Sequence, residues 1–415
     1  MDGPTSLGGA QEGQIRPETR FFAPQARLVT PEGEPITISD RPIAPDIVSA
    51  KVTQTNSGVA QVEVVLNTQR HDAKDRPMAP SWRYNRLEEV SFGTRARVDF
   101  RYGDEPWTPM ILARITDVVF EFPSGAGAQL TLRGEDLLSL LKTKPASDTR
   151  YADKQETAIV EQVLSDSRSG LSLAPAIRTP FQQNMTTVTH QQTQTYLQFV
   201  ESLAQRMDHE VFVDFDDEVG SAVSLHFEPA RSATLSGVVD LLWGRDIIDF
   251  KPTFKVWDVL TNAVACGALP RGRGRVRAEV AASDAVSDLH ADPNGRGGTL
   301  LTAVEARQQK FSEENRPETN TEQISVSNLD AERARMQAIS ALRKSSREFL
   351  TAEINTVGFA ALRPGKHVAL SGFYAPFDGI YYVTSAEHTL NASGHRTKCS
   401  LLRPGMLDPA DYPAE

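Results

Sequence analysis

The chain is short of the residues that usually announce chemistry. Of its 415 residues only two are cysteines, Cys266 and Cys399. They stand in unrelated contexts without metal-ligand spacing, so they read as two buried or idle thiols and imply no disulfide framework. No run of about 18 apolar residues occurs, which excludes a membrane-spanning helix and direct membrane insertion. The opening MDGPTSLGGAQEGQIRPE has neither a basic nor an apolar stretch of the kind that directs export, so the expected place of assembly is the cytoplasm.

Catalytic and metal patterns are also missing. His190, His209, His226, His367, His388 and His395 are scattered, with no His-x-x-x-His or Glu-x-x-His pair, and isolated histidines are usually structural or exposed. The densest acidic stretch, DFDDE from Asp214 to Glu218, reads as a solvated hairpin turn rather than a cation site. Asn184 and Asn391 match the glycosylation pattern but are idle without export. No catalytic residue, cofactor or metal is expected.

Net charge of −10 and a pI near 5.4 leave no broad basic face for reading duplex nucleic acid. One basic stretch exists. In LPRGRGRVRAE, Arg271, Arg273, Arg275 and Arg277 alternate with glycine and apolar residues, and no helix follows as a phosphate-cradling loop requires. An exposed, solvated insertion loop is the favoured reading, and a patch for phosphates or acidic surfaces the other.

What the chain does have is strand patterning. Residues 1–45 are rich in Pro, Gly and charge and read as an extended arm, ordered only in an assembly. Residues 46–145 carry alternating runs, including RVDFRYG and RITDVVFEF, and read as a small β-barrel closed by the helical segment GEDLLSLLKT. Residues 146–230 give two helices with apolar residues at helical spacing, then a hairpin. Residues 231–325 read as irregular, with short strand candidates and an exposed insertion, and residues 326–415 as a strong helix followed by a second barrel. The fold class is α+β, mainly β: two related small antiparallel barrels with an intervening helix-and-hairpin domain.

The two barrels echo each other. Gly93, a strand, Ile115-Thr116, a turn and Leu132-Arg133 recur as Gly365, a strand, Val383-Thr384, a turn and Leu402-Arg403. This order points to an internal duplication.

The order of these pieces resembles the tail hub proteins of contractile phages and related injection machines, including the late control D proteins and the hub half of VgrG spike proteins. The matching segments are MILARITDVVFEFPSGAGAQLTLRGEDLLSLL, YADKQETAIVEQVL, TQTYLQFVESLAQRMDHEVFVDF and LRPGKHVALSG with FDGIYYVTSAEHTLNASGHRTKCSLLRPG, spanning most of residues 50 to 405. His395 stands where such proteins usually have Tyr, and residues 270–320 have no counterpart. The resemblance implies a non-catalytic structural protein whose homotrimer presents six similar barrels to a six-fold tail tube on one side and a three-fold spike on the other. Its implied partners are the tail tube protein, the spike protein and other baseplate components, within a tail, baseplate or injection particle. A β-rich hydrolase or carbohydrate-binding protein with a fortuitous repeat is the alternative. Arg95, Arg97, Asp99 and Arg101 alternate with Val98, Phe100 and Tyr102, which makes them candidates for a charged bore or subunit interface.

Overall fold

Alternating apolar residues become strands wherever one face has a core to meet, and here twelve of the described strands join one sheet. The structure is a computed structural model that describes residues 23–38, 41–71, 77–84, 90–124, 127–145, 149–152, 154–165, 174–177, 189–215, 223–230, 238–269, 274–286, 300–313, 319–326, 330–374 and 376–407. Its first part contains β1 (Pro24–Val29), β2 (Ile47–Thr55), β3 (Gln61–Asn67), β4 (Arg95–Tyr102), β5 (Thr108–Glu121) and β6 (Gln129–Asp136). These lie side by side in the order β1-β4-β5-β6-β3-β2, every neighbour antiparallel. Their inner faces wrap around Val52, Leu66, Phe100, Met110 and Leu130, none more than 1% exposed. Each such side chain contributes about 1.5–3 kcal/mol by leaving water.

The middle of the chain is built on helices. α1 (Glu156–Ser165) and α2 (Tyr196–Met207) pack beside the hairpin β7 (His209–Phe215) and β8 (Val223–Pro229), as the helical spacing predicts. Thr195 and Gln198 form a reciprocal cap that starts α2, and Asp208 in the left-handed conformation (φ 57°) stops it, so β7 begins at once. Leu137, Leu138 and Leu141 of the short 3₁₀ helix Leu137–Lys142 enter this core rather than closing the first barrel.

The last part holds β9 (Val239–Leu242), β10 (Ile247–Phe254), β11 (Asn262–Ala268), β12 (Arg275–Ala281), β13 (Thr321–Val326), α3 (Ala331–Arg347), β14 (Leu350–Val357), β15 (His367–Ser371), β16 (Gly379–Asn391) and β17 (Gly394–Arg403). Six of these repeat the first arrangement in the order β9-β15-β16-β17-β14-β10 around Leu241, Ile354, Val368, Tyr381 and Val383. The copies differ at one edge: β1 is antiparallel to β4, whereas β9 runs parallel to β15. A separate three-stranded sheet, β12-β11-β13, is covered by α3 through Ala263, Ala265, Val280, Ala334 and Leu342.

Several elements sit differently from their sequence reading. From Pro24 onward the expected arm is an edge strand that buries Ala26 and Leu28 in the first core, followed by a segment that adds Ile43. Residues 1–22 lie outside the described residues. β9 and β10, in the region read as irregular, belong to the second copy, and α3 covers β11 and β12 instead of joining that copy. The strands of the two copies also form one continuous sheet, because β2 of the first copy pairs with β16 of the second.

Candidate assembly surface

The duplication is exact in hydrogen bonding at its centre. Gly93 donates to Ile115 O at 2.8 Å and Ile115 N donates to Thr94 O at 2.9 Å; Gly365 donates to Val383 O at 3.0 Å and Val383 N to Lys366 O at 3.0 Å. Both glycines hold the left-handed backbone that favours glycine, at φ 83° and 81°. One residue later each copy has a bulge. Ile115 faces Gly134 and Asp117 faces Arg133, leaving Thr116 extra, while Val383 faces Leu401 and Ser385 faces Ser400, leaving Thr384 extra. The two bulged threonine hydroxyls lie near equivalent carbonyls: Thr384 donates to Ser400 O at 3.1 Å, while Thr116 Oγ1 is 3.4 Å from Arg133 O and has its shorter bond, 2.8 Å, to Asp117.

This register corrects one detail of the sequence comparison. Arg133 is equivalent to Ser400, so the shared Leu-Arg endings at Leu132-Arg133 and Leu402-Arg403 are a coincidence. The hairpins have unequal turns: β5 and β6 are joined by residues 122–128, β16 and β17 by Ala392 and Ser393 alone. Counting back from the turn therefore misaligns the second strand.

Where the copies meet, β2 pairs antiparallel with β16 from Ala50 facing Leu390 to Thr55 facing Ser385. The inward row of this seam, Ala50, Val52, Ala386, His388 and Leu390, is at most 7% exposed, and Lys51 reaches Glu387 across the outside at 2.8 Å. The seam is also held from the middle unit. Buried Glu210 accepts from Asn56 Nδ2, just after β2, at 2.5 Å and from the Tyr382 hydroxyl of β16. Burial pushes its carboxyl up to about 7. On the other side, Tyr102 of β4 lies 2.7 Å from Nδ1 of His395, whose pKa burial lowers to about 4. His388 beside it is held well below its usual value by burial and by its neighbours His395 and Arg363.

Two edges have no such mate among the described residues. β10 pairs with β14 on one side only, and β5 beyond Arg114 pairs with β6 only. Both carry aromatic residues near the edge, with Phe254 37% and Phe122 55% exposed. The bulge of β2 at Val48 recurs in β10 at Ile248, and these two side chains are 43% and 49% exposed. β10 thus holds in the second copy the place that β2 holds in the first.

The predicted charged row divides. Arg95 is exposed and Arg101 half-buried, but Arg97 and Asp99 are 6% and 0% exposed. Asp99 accepts from Arg97 Nε at 2.7 Å and from Arg27 Nε of β1 at 2.8 Å, and the turn at Gly33 lies against the Arg97 guanidinium. The alternation does place Val98 and Phe100 inward. What covers the opposite face of Arg97 and Asp99 is the N-terminal segment, read from sequence as an arm. In the basic stretch, Arg275 and Arg277 are not in a loop: they project from the outward face of β12, and Arg277 pairs with Glu279 at 3.0 Å. Arg271 and Arg273 lie outside the described residues. Asp214 of the acidic stretch is paired with Arg363 at 2.7 Å, and residues 216–218 also lie outside.

The open edge of β10 escaped sequence reasoning, although a signal was available. DIVSAKVT (46–53) and DIIDFKPT (246–253) share Asp, Ile, Lys and Thr at equivalent positions and mark the corresponding strands β2 and β10 of the two copies. No cluster of three or more His, Cys, Asp or Glu residues suited to a metal occurs among the described residues. Cys399 is buried, which pushes its thiol up to about 12, and Cys266 is half-buried. No helix among the described residues is long and apolar enough to cross a membrane.

No protein-family model matches the chain, and no curated protein matches it. Solved structures do. A tail protein from Neisseria meningitidis MC58 aligns over 94% of this chain and 100% of its own, with a TM-score of 0.61 at 11% identity. The 43 kDa tail protein of prophage MuSo2 from Shewanella oneidensis aligns over 92% and 99%, with a TM-score of 0.58 at 15% identity. The E. coli c3393 protein, described as a type VI secretion component similar to the T4 tail proteins gp27 and gp5, aligns over 89% and 77%, with a TM-score of 0.52 at 12% identity. The chain thus shares its mainly β fold with phage tail and secretion-system proteins.

Proposed function

We propose that this chain is the structural, non-catalytic hub of a contractile tail or related injection machine, a homotrimer that adapts a six-fold tail tube to a three-fold spike. The observation that carries this reading is the duplication: two copies of one strand order, with equivalent bulges and equivalent glycines, joined side by side in a single sheet. Three chains then offer six nearly equivalent units to a hexameric ring, which three unduplicated chains cannot do. The fold shared with tail proteins supports it. The implied partners are the tail tube protein, the spike and other baseplate components, with assembly in the bacterial cytoplasm. The late control D and VgrG-type hubs are the branches it resembles.

Within this reading Arg95 and Arg101 are the members of the charged row open to a bore or a neighbouring subunit, while Arg97 and Asp99 fasten β4 to β1. The arginines at 275 and 277 keep the exposed strand β12 solvated. Light scattering of the purified chain tests the proposal: a particle of three times 45.6 kDa is expected, and a stable monomer at micromolar concentration overturns it.

A further inference from the structure

The internal seam supplies a template for an external one. Because β10 stands where β2 stands, and β5 where β16 stands, the open edge of β10 is the counterpart of the edge that β2 gives to β16, and the outer half of β5 is the counterpart of its acceptor. We infer that β10 of one copy pairs antiparallel with residues 117–122 of a second copy of this chain, in the register that Ala50–Thr55 and Ser385–Leu390 already adopt inside the chain. The inference rests on the hub reading only for the number of copies.

Transferring that register sets Lys255 opposite Asp117, Phe254 opposite Val118, Pro252 opposite Phe120, Lys251 opposite Glu121 and Phe250 opposite Phe122. Nothing in the transfer selects for chemistry, yet five of its six pairs are complementary, the exception being Thr253 opposite Val119 on the outer face. On the outer face two lysines stand directly opposite two carboxylates, whereas in the internal seam Lys51 faces Thr389 and reaches Glu387 diagonally. On the inner face apolar side chains meet apolar side chains. Phe120 and Phe122 stack on one another at 6.2 Å, and Phe250 packs on Phe373 at 4.4 Å, so both rows are already ordered on that side. In the internal seam the equivalent inner residues are at most 7% exposed, whereas Phe254 and Phe122 are 37% and 55% exposed in the isolated chain. A second strand would cover them.

One residue departs from the template. Lys255 N donates to Phe349 O at 2.8 Å, so along β10 the backbone N–H groups of residues 250, 252 and 254 face the open edge. Position 252 is proline and has no N–H. The seam is one hydrogen bond poorer than its internal counterpart, and the free edge is a poor template for unrelated strands. Specificity is left to the charged and aromatic pairs. The two edges are different surfaces, so the contact is head-to-tail and closes into a ring in which internal and external seams alternate.

The test uses the full chain in a Cys266→Ser background. Lys251 and Glu121 would be a directly opposed pair outside the hydrogen-bonded positions, where Cα atoms lie about 4.5 Å apart, within reach of a disulfide. Lys251→Cys with Glu121→Cys should oxidise to a covalent multimer that ends at three chains. Lys251→Cys with Asp117→Cys, four residues out of register or about 13 Å along the strand, should not. Cross-linking with a native mass other than three chains upholds the seam and overturns the trimer. A three-chain mass with no cross-link, or with equal cross-linking by the shifted pair, overturns the seam and leaves the trimer. A monomer without cross-link overturns both. Charge reversal gives a second reading: Lys251→Glu and Glu121→Lys should each weaken association about fivefold or more, and together restore it. Failure of the pair to recover counts against the register.

Discussion

Asp99 offers the sharpest test of how the first copy is held together. It has no solvent exposure and accepts from Arg97 at 2.7 and 3.0 Å and from Arg27 at 2.8 Å. The Arg27 side chain is 22% exposed and also lies over the Trp107 ring at 4.5 Å, so it has other support. Arg97 has less: its side chain is 7% exposed and both of its described side-chain hydrogen bonds go to Asp99. Asp99→Ala therefore strands a buried guanidinium, and removing one member of a buried pair costs about 3–5 kcal/mol. Asp99→Asn keeps the shape and one acceptor but gives up charge-assisted bonds worth about 1.5–3 kcal/mol. In Arg97→Ala with Asp99→Ala the combined loss should fall short of the sum of the two by at least about 1 kcal/mol, because the buried Arg97 guanidinium is removed together with its partner and only the part-exposed Arg27 loses a bond. Amide exchange in β1 and β4 is the assay, since it reads the local opening of this edge directly. A loss below about 0.5 kcal/mol for Asp99→Ala would refute the argument that the N-terminal strand is locked by this cluster.

Two further predictions concern the junction of the copies. A Cβ placed on Gly358 would lie 2.0 Å from the His395 ring, so Gly358→Ala should displace His395 and cost at least about 1–3 kcal/mol, measured as a lower urea midpoint. Gly394→Ala, with nothing within 4 Å of its Cβ, should cost only the strain of its positive φ. pH separates two opposed effects. His395, lowered to about 4 by burial, is neutral in the fold, so its contribution is complete above about 6.5 and is lost as pH falls toward 4, by up to about 3 kcal/mol. Glu210, raised to about 7 by burial, acts in the other direction, its protonated form favouring the fold at low pH and its contribution being lost as pH rises through 7. Glu210→Gln should consequently steepen the fall in stability between pH 6.5 and 4, and a melting profile that stays flat there would contradict the burial of the histidine.

The sequence by itself determined the local pieces. Alternation marked β5, β6, β16 and β17, helical spacing marked α1, α2 and α3, and the glycines at 93 and 365 followed by β-branched residue and Thr marked the repeated turn and bulge, because each of these depends on contacts within a few residues or across one hairpin. Only the tertiary structure decided which edges join. Arg97 and Asp99 look like a solvated row until β1, 72 residues earlier, lies across them. β10 looks irregular because its polar and apolar residues fit an edge strand with proline in it, and its place emerges only when β14, about 100 residues later, pairs with it. The seam between β2 and β16 unites segments more than 300 residues apart. A strand's pattern states that it has an inner and an outer face; apart from proline, every residue offers the same backbone hydrogen bonds along the edges, so the pattern alone does not name the neighbour.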